Sequence, residues 1–178
     1  MKPRLYAALR FVALLCWFAF PAHATLIDWG QECKDGNSLA CQKVAEGFWA
    51  AGDRFAAIRF YQRTCDLGLS TGCSEAAGIL EREGRLKDAA LLYTKACELN
   101  DALVCANLGA RADREGDKVA SRKFHVEACL KGAGGSCLNV GYLAEQSGDA
   151  ATAREWYVKG CTFNHGDSCN NLAALERS

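Results

Sequence analysis

After Pro21 the chain contains no proline, and Met1 is its one methionine. Net charge is also missing, with 21 Lys and Arg against 21 Asp and Glu in 178 residues. That balance excludes a polybasic nucleic-acid binder, and an apolar fraction of 50% excludes a disordered acidic tail. The motifs of hydrolytic chemistry are absent: no serine is followed three residues later by lysine, and there is no GxSxG elbow and no HExxH helix. No CxxC occurs, and no two cysteines lie within two to four residues of each other, so neither thioredoxin-like chemistry nor a structural zinc site is indicated. No metal and no cofactor is therefore expected. What stands out instead is cysteine, with eleven in the chain.

Lys2, Arg4 and Arg10 lead into an apolar run over residues 11–20, followed by Pro21 and the small-x-small sequence Ala22, His23, Ala24. This reads as a signal peptide, residues 1–24, cleaved after Ala24. The run is about half the length needed to span a bilayer, so no stable membrane insertion is expected after cleavage. Leu15 precedes Cys16 where a lipidation site needs a small residue, so lipidation is not expected. Setting aside Lys2, Arg4 and Arg10, residues 25–178 carry 18 basic against 21 acidic side chains, a net charge of −3, and ten cysteines. An even number in an exported chain points to disulfides in an oxidising compartment, periplasmic or secreted.

These cysteines fall at 33, 65, 97, 129 and 161, and again at 41, 73, 105, 137 and 169, both series stepping by 32. A fixed period of this size marks stacked helical hairpins. Gly52, Gly84, Gly116 and Gly148 form a column that stops one helix, and Gly36, Gly68, Asn100, Gly132 and Asn164 form a second column suited to left-handed closure of another. Two stops per unit imply two helices per unit. The expected first helices lie near 39–51, 71–83, 103–115 and 135–147, and the second near 54–66, 86–98, 118–130 and 150–162. Residues 25–178 then form one repeat domain, with four full units from 33, 65, 97 and 129. Trp29 in a truncated second helix and residues 168–177 in a lone first helix cap the two ends.

Apolar spacing supports this. Val44, Ala76, Leu108, Val140 and Leu172 precede the small column Ala45, Ala77, Gly109, Gly141 and Ala173, while Tyr61, Tyr93, His125 and Tyr157 form an aromatic column four residues after Ala57, Ala89, Ser121 and Ala153. His125 thus reads as a packed core residue, and His165, between Asn164 and Gly166, as a solvent-exposed turn residue.

Two cysteine pairings fit the hairpin geometry. One joins Cys33 with Cys41, Cys65 with Cys73, Cys97 with Cys105, Cys129 with Cys137 and Cys161 with Cys169; the other begins Cys41 with Cys65 at a spacing of 24. Parity favours the first, since the second strands Cys33 and Cys169. Closing a nine-residue ring removes roughly 2.5 kcal/mol of denatured-state entropy, so the cysteines read as staples.

Ala153-Arg-Glu-Trp-Tyr-Val-Lys-Gly-Cys161, Ala90-Leu-Leu-Tyr-Thr-Lys-Ala-Cys97 and Cys105-Ala-Asn-Leu-Gly109 resemble the KAxxWYxKAC and CxxLG segments of the Sel1-like repeat family, in the cysteine-rich form of the Helicobacter cysteine-rich proteins. The units are shorter than that family's, because the Gly52-type turn lacks its longer glycine-valine loop. The resemblance implies an all-α, right-handed α/α solenoid, TPR-like, with first helices lining a concave surface. Some cysteine-rich members carry a penicillin-binding or weak β-lactamase label, so that activity is the alternative implied for this chain. The residues themselves assign no catalytic group.

On the implied concave face the columns read Gln42, Ser74, Ala106, Leu138; Glu46, Gly78, Ala110, Tyr142; and Trp49, Glu81, Asp113, Glu145, with Arg82, Arg114 and Gln146 adjacent. These residues change from unit to unit while the packing columns stay fixed, which fits a groove shaped for a protein or peptide. Gln42, Glu46, Trp49, Glu81, Arg82, Asp113, Arg114, Tyr142, Glu145 and Gln146 are the expected partner-facing residues. The function expected is non-enzymatic binding in the periplasm, with an immunity or inhibitor protein against an exported toxic enzyme as a particular form and a scaffold for envelope assembly as a third reading.

Overall fold

Both glycine and asparagine columns turn the chain through left-handed backbone. All nine residues have positive φ, from 58° at Asn164 to 97° at Gly132, and no other described residue does. Each ends a helix in the same way. At Gly52, for example, the amide of Gly52 donates to the Trp49 carbonyl and that of Asp53 to the Phe48 carbonyl, which closes the orphan carbonyls of the last turn. The next helix starts at once, because the Asp53 carboxylate accepts from the Ala56 amide at 2.9 Å; Asp117 and Asp149 cap their helices likewise.

A computed structural model describes residues 21–177, with side chains from residue 28. The expected leader lies outside the described residues apart from the opening turn of the first helix. Among the described residues there are ten helices and no strand: α1 Pro21–Lys34, α2 Ser38–Ala50, α3 Arg54–Asp66, α4 Ser70–Arg82, α5 Leu86–Glu98, α6 Ala102–Glu115, α7 Lys118–Leu130, α8 Gly134–Gln146, α9 Ala150–Thr162 and α10 Gly166–Leu175. The second helices begin and end at the expected residues, and the first helices begin one residue earlier. Helices pack chiefly on their chain neighbours, as a solenoid requires, and α8 also meets α10.

Within each hairpin the aromatic column of the second helix lies against the small column of the first. Tyr61, His125 and Tyr157 are buried and Tyr93 is half-buried. Contact is closest where the small residue is glycine. A methyl group on Gly109 would sit 2.8 Å from the His125 ring, and one on Gly141 would sit 2.5 Å from the Tyr157 ring.

Between hairpins the chain is clamped. Sulfurs are bonded in the five pairs Cys33–Cys41, Cys65–Cys73, Cys97–Cys105, Cys129–Cys137 and Cys161–Cys169, with Cα separations of 4.5–4.8 Å. The spacing of 24 is not used. At the second clamp the approach leaves no room for a side chain: a methyl on Gly72 would lie 2.6 Å from the Tyr61 carbonyl oxygen. At the ends, Trp29 of α1 packs on Cys33, Ala40 and Cys41, and Leu172 and Leu175 of α10 pack against Ala144, Ala153 and Tyr157.

His165 departs from expectation. It is half-buried, because Gly134 offers no side chain and the His165 Cβ settles against it, while Nδ1 lies 3.1 Å from the Ser168 hydroxyl.

Two substitutions test this packing from opposite sides. Gly141→Ala forces a methyl into the Tyr157 ring and is expected to lower stability to denaturant by ~1–3 kcal/mol. Ser121 stands in an alanine column, fully buried; Asp113 is close enough to feel its hydroxyl, yet the oxygen meets no hydrogen-bond geometry. Ser121→Ala, by removing that unpartnered hydroxyl, is expected to leave stability unchanged or raise it by about 1 kcal/mol in the same measurement.

Candidate binding groove

The first helices α2, α4, α6 and α8 bring the expected partner-facing residues to the surface. All are exposed or half-buried, and none is buried. Their arrangement divides into three parts.

At the first end, Gln42 accepts from the Thr71 hydroxyl across the unit boundary at 3.2 Å and donates to Glu46 at 2.9 Å. Glu46 is also paired with Lys43 at 2.8 Å, and that hydrogen bond, outweighing burial, holds its carboxyl below the usual range. Further along, the Arg82 guanidinium lies over the Trp49 ring at 5.1 Å and donates to the Gly78 carbonyl at 2.9 Å. Trp49 remains 38% exposed.

The acidic rungs are rooted in the core. Glu81, Asp113 and Glu145 recur every 32 residues, and each meets the aromatic column twelve residues on. The Tyr93 hydroxyl donates to Glu81 at 3.0 Å, His125 Nε2 lies 3.3 Å from Asp113, and the Tyr157 hydroxyl donates to Glu145 at 2.6 Å. Burial works against ionisation of Asp113, but its polar neighbours, Ser121 first and then Lys118 and His125, outweigh it and hold the carboxyl low. In the first unit Trp49 occupies the acidic column and the Tyr61 phenol is pushed up, by burial first and then by Glu75 and Glu46.

His125 makes further contacts. Its Nδ1 lies 3.2 Å from the Ser136 hydroxyl, and Asn139 approaches Nε2 at 3.3 Å. With the proton on Nε2, the ring donates to Asp113 and accepts from Ser136. Serine, histidine and aspartate are thus joined, but a nucleophile must face its substrate. Ser136 is 3% exposed, with its hydroxyl turned into the hairpin contact, so the trio is a packing network. It occurs where histidine replaces tyrosine, and that substitution was its only signal in the sequence.

The third part is a cleft of about 200 Å³ lined by Glu81, Tyr93, Val104, Asn107, Leu108, Arg111 and Arg114. It opens where α5 meets α6, the loosest junction between successive helices. Arg114 was expected at the groove; Asn107 and Arg111 were not, because their columns, shared with Lys43, Glu75 and Asn139 and with Gly47, Ile79 and Leu143, show no common chemistry. Their legible signal is the spacing 107, 111, 114, one stripe of a helix. Tyr142 stands exposed on α8, and Gln146 is exposed at its last turn. Among the described residues no cluster of metal-binding side chains is found, and no helix is long and apolar enough to cross a membrane.

Burial, followed by the bond to Glu145, pushes the Tyr157 phenol up to about 12 from its ordinary 10. The folded protein therefore holds this proton more tightly than the unfolded chain. The resulting stability is complete below pH 10 and is lost as pH climbs through about 12. A shift of this size is worth ~2–3 kcal/mol. Denaturant unfolding of the wild type is expected to weaken over that alkaline range more steeply than that of Tyr157→Phe, and parallel pH profiles would contradict the assignment.

The sequence matches no family profile and no curated protein. Its fold, however, superposes on solved structures. A Sel1 repeat protein from Oxalobacter formigenes aligns with a TM-score of 0.55 at 18% identity, covering 78% of this chain and 62% of its own. A protective antigen present in uropathogenic Escherichia coli strains, displaying an SLR fold, aligns with a TM-score of 0.54 at 26% identity, covering 76% of this chain and 32% of its own. This chain thus spans less than two thirds of the length of either. Five disulfides within the chain are the chemistry of an oxidising, exported location. The protein is an all-α solenoid with the Sel1-like repeat fold, in a cysteine-rich form that carries one disulfide per 32-residue step.

Proposed function

We propose that this protein is a non-enzymatic binding module that holds another protein or a peptide along the face of its first helices, in the periplasm after cleavage following Ala24. One observation carries the reading: the packing columns repeat in every unit, whereas the exposed side chains beside them, apart from the acidic rungs, do not. Trp49 and Tyr142 are 38% and 52% exposed at separate points on that face, the pattern of aromatic anchors at an interface. Solenoids of this kind use an extended, unit-by-unit surface to grip a partner. An immunity or inhibitor role against an exported toxic enzyme is the particular form favoured here, because a rigid, disulfide-clamped surface binds without the entropic cost of ordering itself.

β-Lactam hydrolysis is the weaker reading. In its serine form it needs an accessible activated serine, and the two serines that lie beside a histidine, Ser136 and Ser168, are 3% and 0% exposed inside helix contacts.

A test must spare the core. Reversing Glu81, Asp113 and Glu145 would strip Tyr93, His125 and Tyr157 of their partners, so a loss of binding would be ambiguous. Trp49→Ala with Tyr142→Ala leaves all three rungs in place and, at Trp49, gives up the ring beneath Arg82. With the oxidised protein as bait against an extract of its own envelope, the double variant is expected to lose at least ~10-fold in capture of any partner that the wild type retains, at unchanged helicity, given ~1–2 kcal/mol per anchor. Undiminished capture by the double variant would rule out this face.

A further inference from the structure

We infer that the cleft between α4, α5 and α6 recognises a carboxylate on a peptide, with a neighbouring apolar side chain resting on Val104 and Leu108. This inference rests on the reading of the protein as a peptide- or protein-binding module. Its grounds are two cations of the cleft, one without a counter-ion and one loosely paired. Among the described residues the exposed Arg114 guanidinium has no hydrogen-bond or ion-pair partner, and that of Arg111 is paired only with Glu115, at 3.7 Å, beyond hydrogen-bond distance. Arg82, by contrast, is already occupied by Trp49 and the Gly78 carbonyl.

Asn107, Arg111 and Arg114 follow one another at helical spacing on α6, so their donors line one side of the cleft. Guanidinium groups present paired N–H donors that match the two oxygens of a carboxylate. Beneath them Val104 and Leu108, 9% and 5% exposed, form an apolar floor. Glu81 forms the opposite wall, fixed by the Tyr93 hydroxyl at 3.0 Å. A fixed carboxylate there accepts from a peptide N–H and repels a second anion, so the ligand enters with its negative end toward α6. That polarity, with the apolar floor, favours a peptide carboxylate over a bare inorganic anion. No other unit repeats the set: the equivalent positions hold Lys43, Gly47 and Ala50, then Glu75, Ile79 and Arg82, then Asn139, Leu143 and Gln146.

The carboxylate can belong to a chain terminus or to an acidic side chain, and three short probes separate these sources. They are Ac-Ala-Ala-Leu with a free C-terminus, Ac-Ala-Glu-Leu-amide and Ac-Ala-Gln-Leu-amide. Titrated into nitrogen-labelled full-length protein, one or both of the first two are expected to shift the Arg111 and Arg114 Nε–H signals and the Asn107 side-chain amide saturably. Whichever does so names the source, and binding is expected to fall roughly tenfold in Arg111→Gln with Arg114→Gln while the remaining spectrum is preserved. Equal shifts from the uncharged third probe would overturn the proposal, as would equal shifts from inorganic phosphate, shifts spread over Arg54 and Arg82, or no shifts at all. The same double variant in the partner-capture experiment separates the two readings. Capture that survives it but fails with Trp49→Ala and Tyr142→Ala removes the cleft and keeps the groove.

Discussion

Each hairpin must approach the next to within the length of a disulfide, and the rest of the structure follows from that constraint. Cα atoms 4.5–4.8 Å apart hold the end of one second helix against the start of the next first helix. At Gly72 that proximity excludes any side chain, and at Gly134 the absence of one admits His165. In an array whose units touch mainly their neighbours, a covalent clamp at every step limits fraying from either end.

The face proposed to meet a partner is not independent of this framework. Three of its carboxylates serve as acceptors for the buried aromatic column, so the charge they display outward is oriented by groups that also pack the hairpins. This coupling divides the face into a conserved-pitch acidic ladder that belongs to the fold and a set of unit-specific residues that does not. Trp49, Tyr142, Asn107, Arg111 and Arg114 belong to the second set, which is the one proposed to carry recognition. Where the acid is replaced by Trp49, the face changes character from charge to an aromatic ring covered by Arg82.

Period and composition made the fold readable because every constraint recurs. A left-handed turn must be glycine or asparagine, a close approach must be small, and a capped helix start wants a short polar side chain, as at Asp53 and Asp117. Repetition at 32 residues exposes each requirement as a column. The site was less readable for the same reason. Asn107 and Arg111 occur together in no other unit, so no column announces them, and His165 looked like an exposed turn residue because the vacancy at Gly134 lies thirty-one positions away.

The sequence by itself therefore determined the number of helices, the places where they stop, and the residues that pack between them, since these depend on local backbone sterics and helical spacing. Only the tertiary structure decided which carboxylates are held by the core, where the looser α5–α6 junction leaves a cleft, and that Arg114 faces it with no ion-pair partner among the described residues. Those features arise from distances between helices, and side chains distant along the chain acquire a distance only after the solenoid has closed around them.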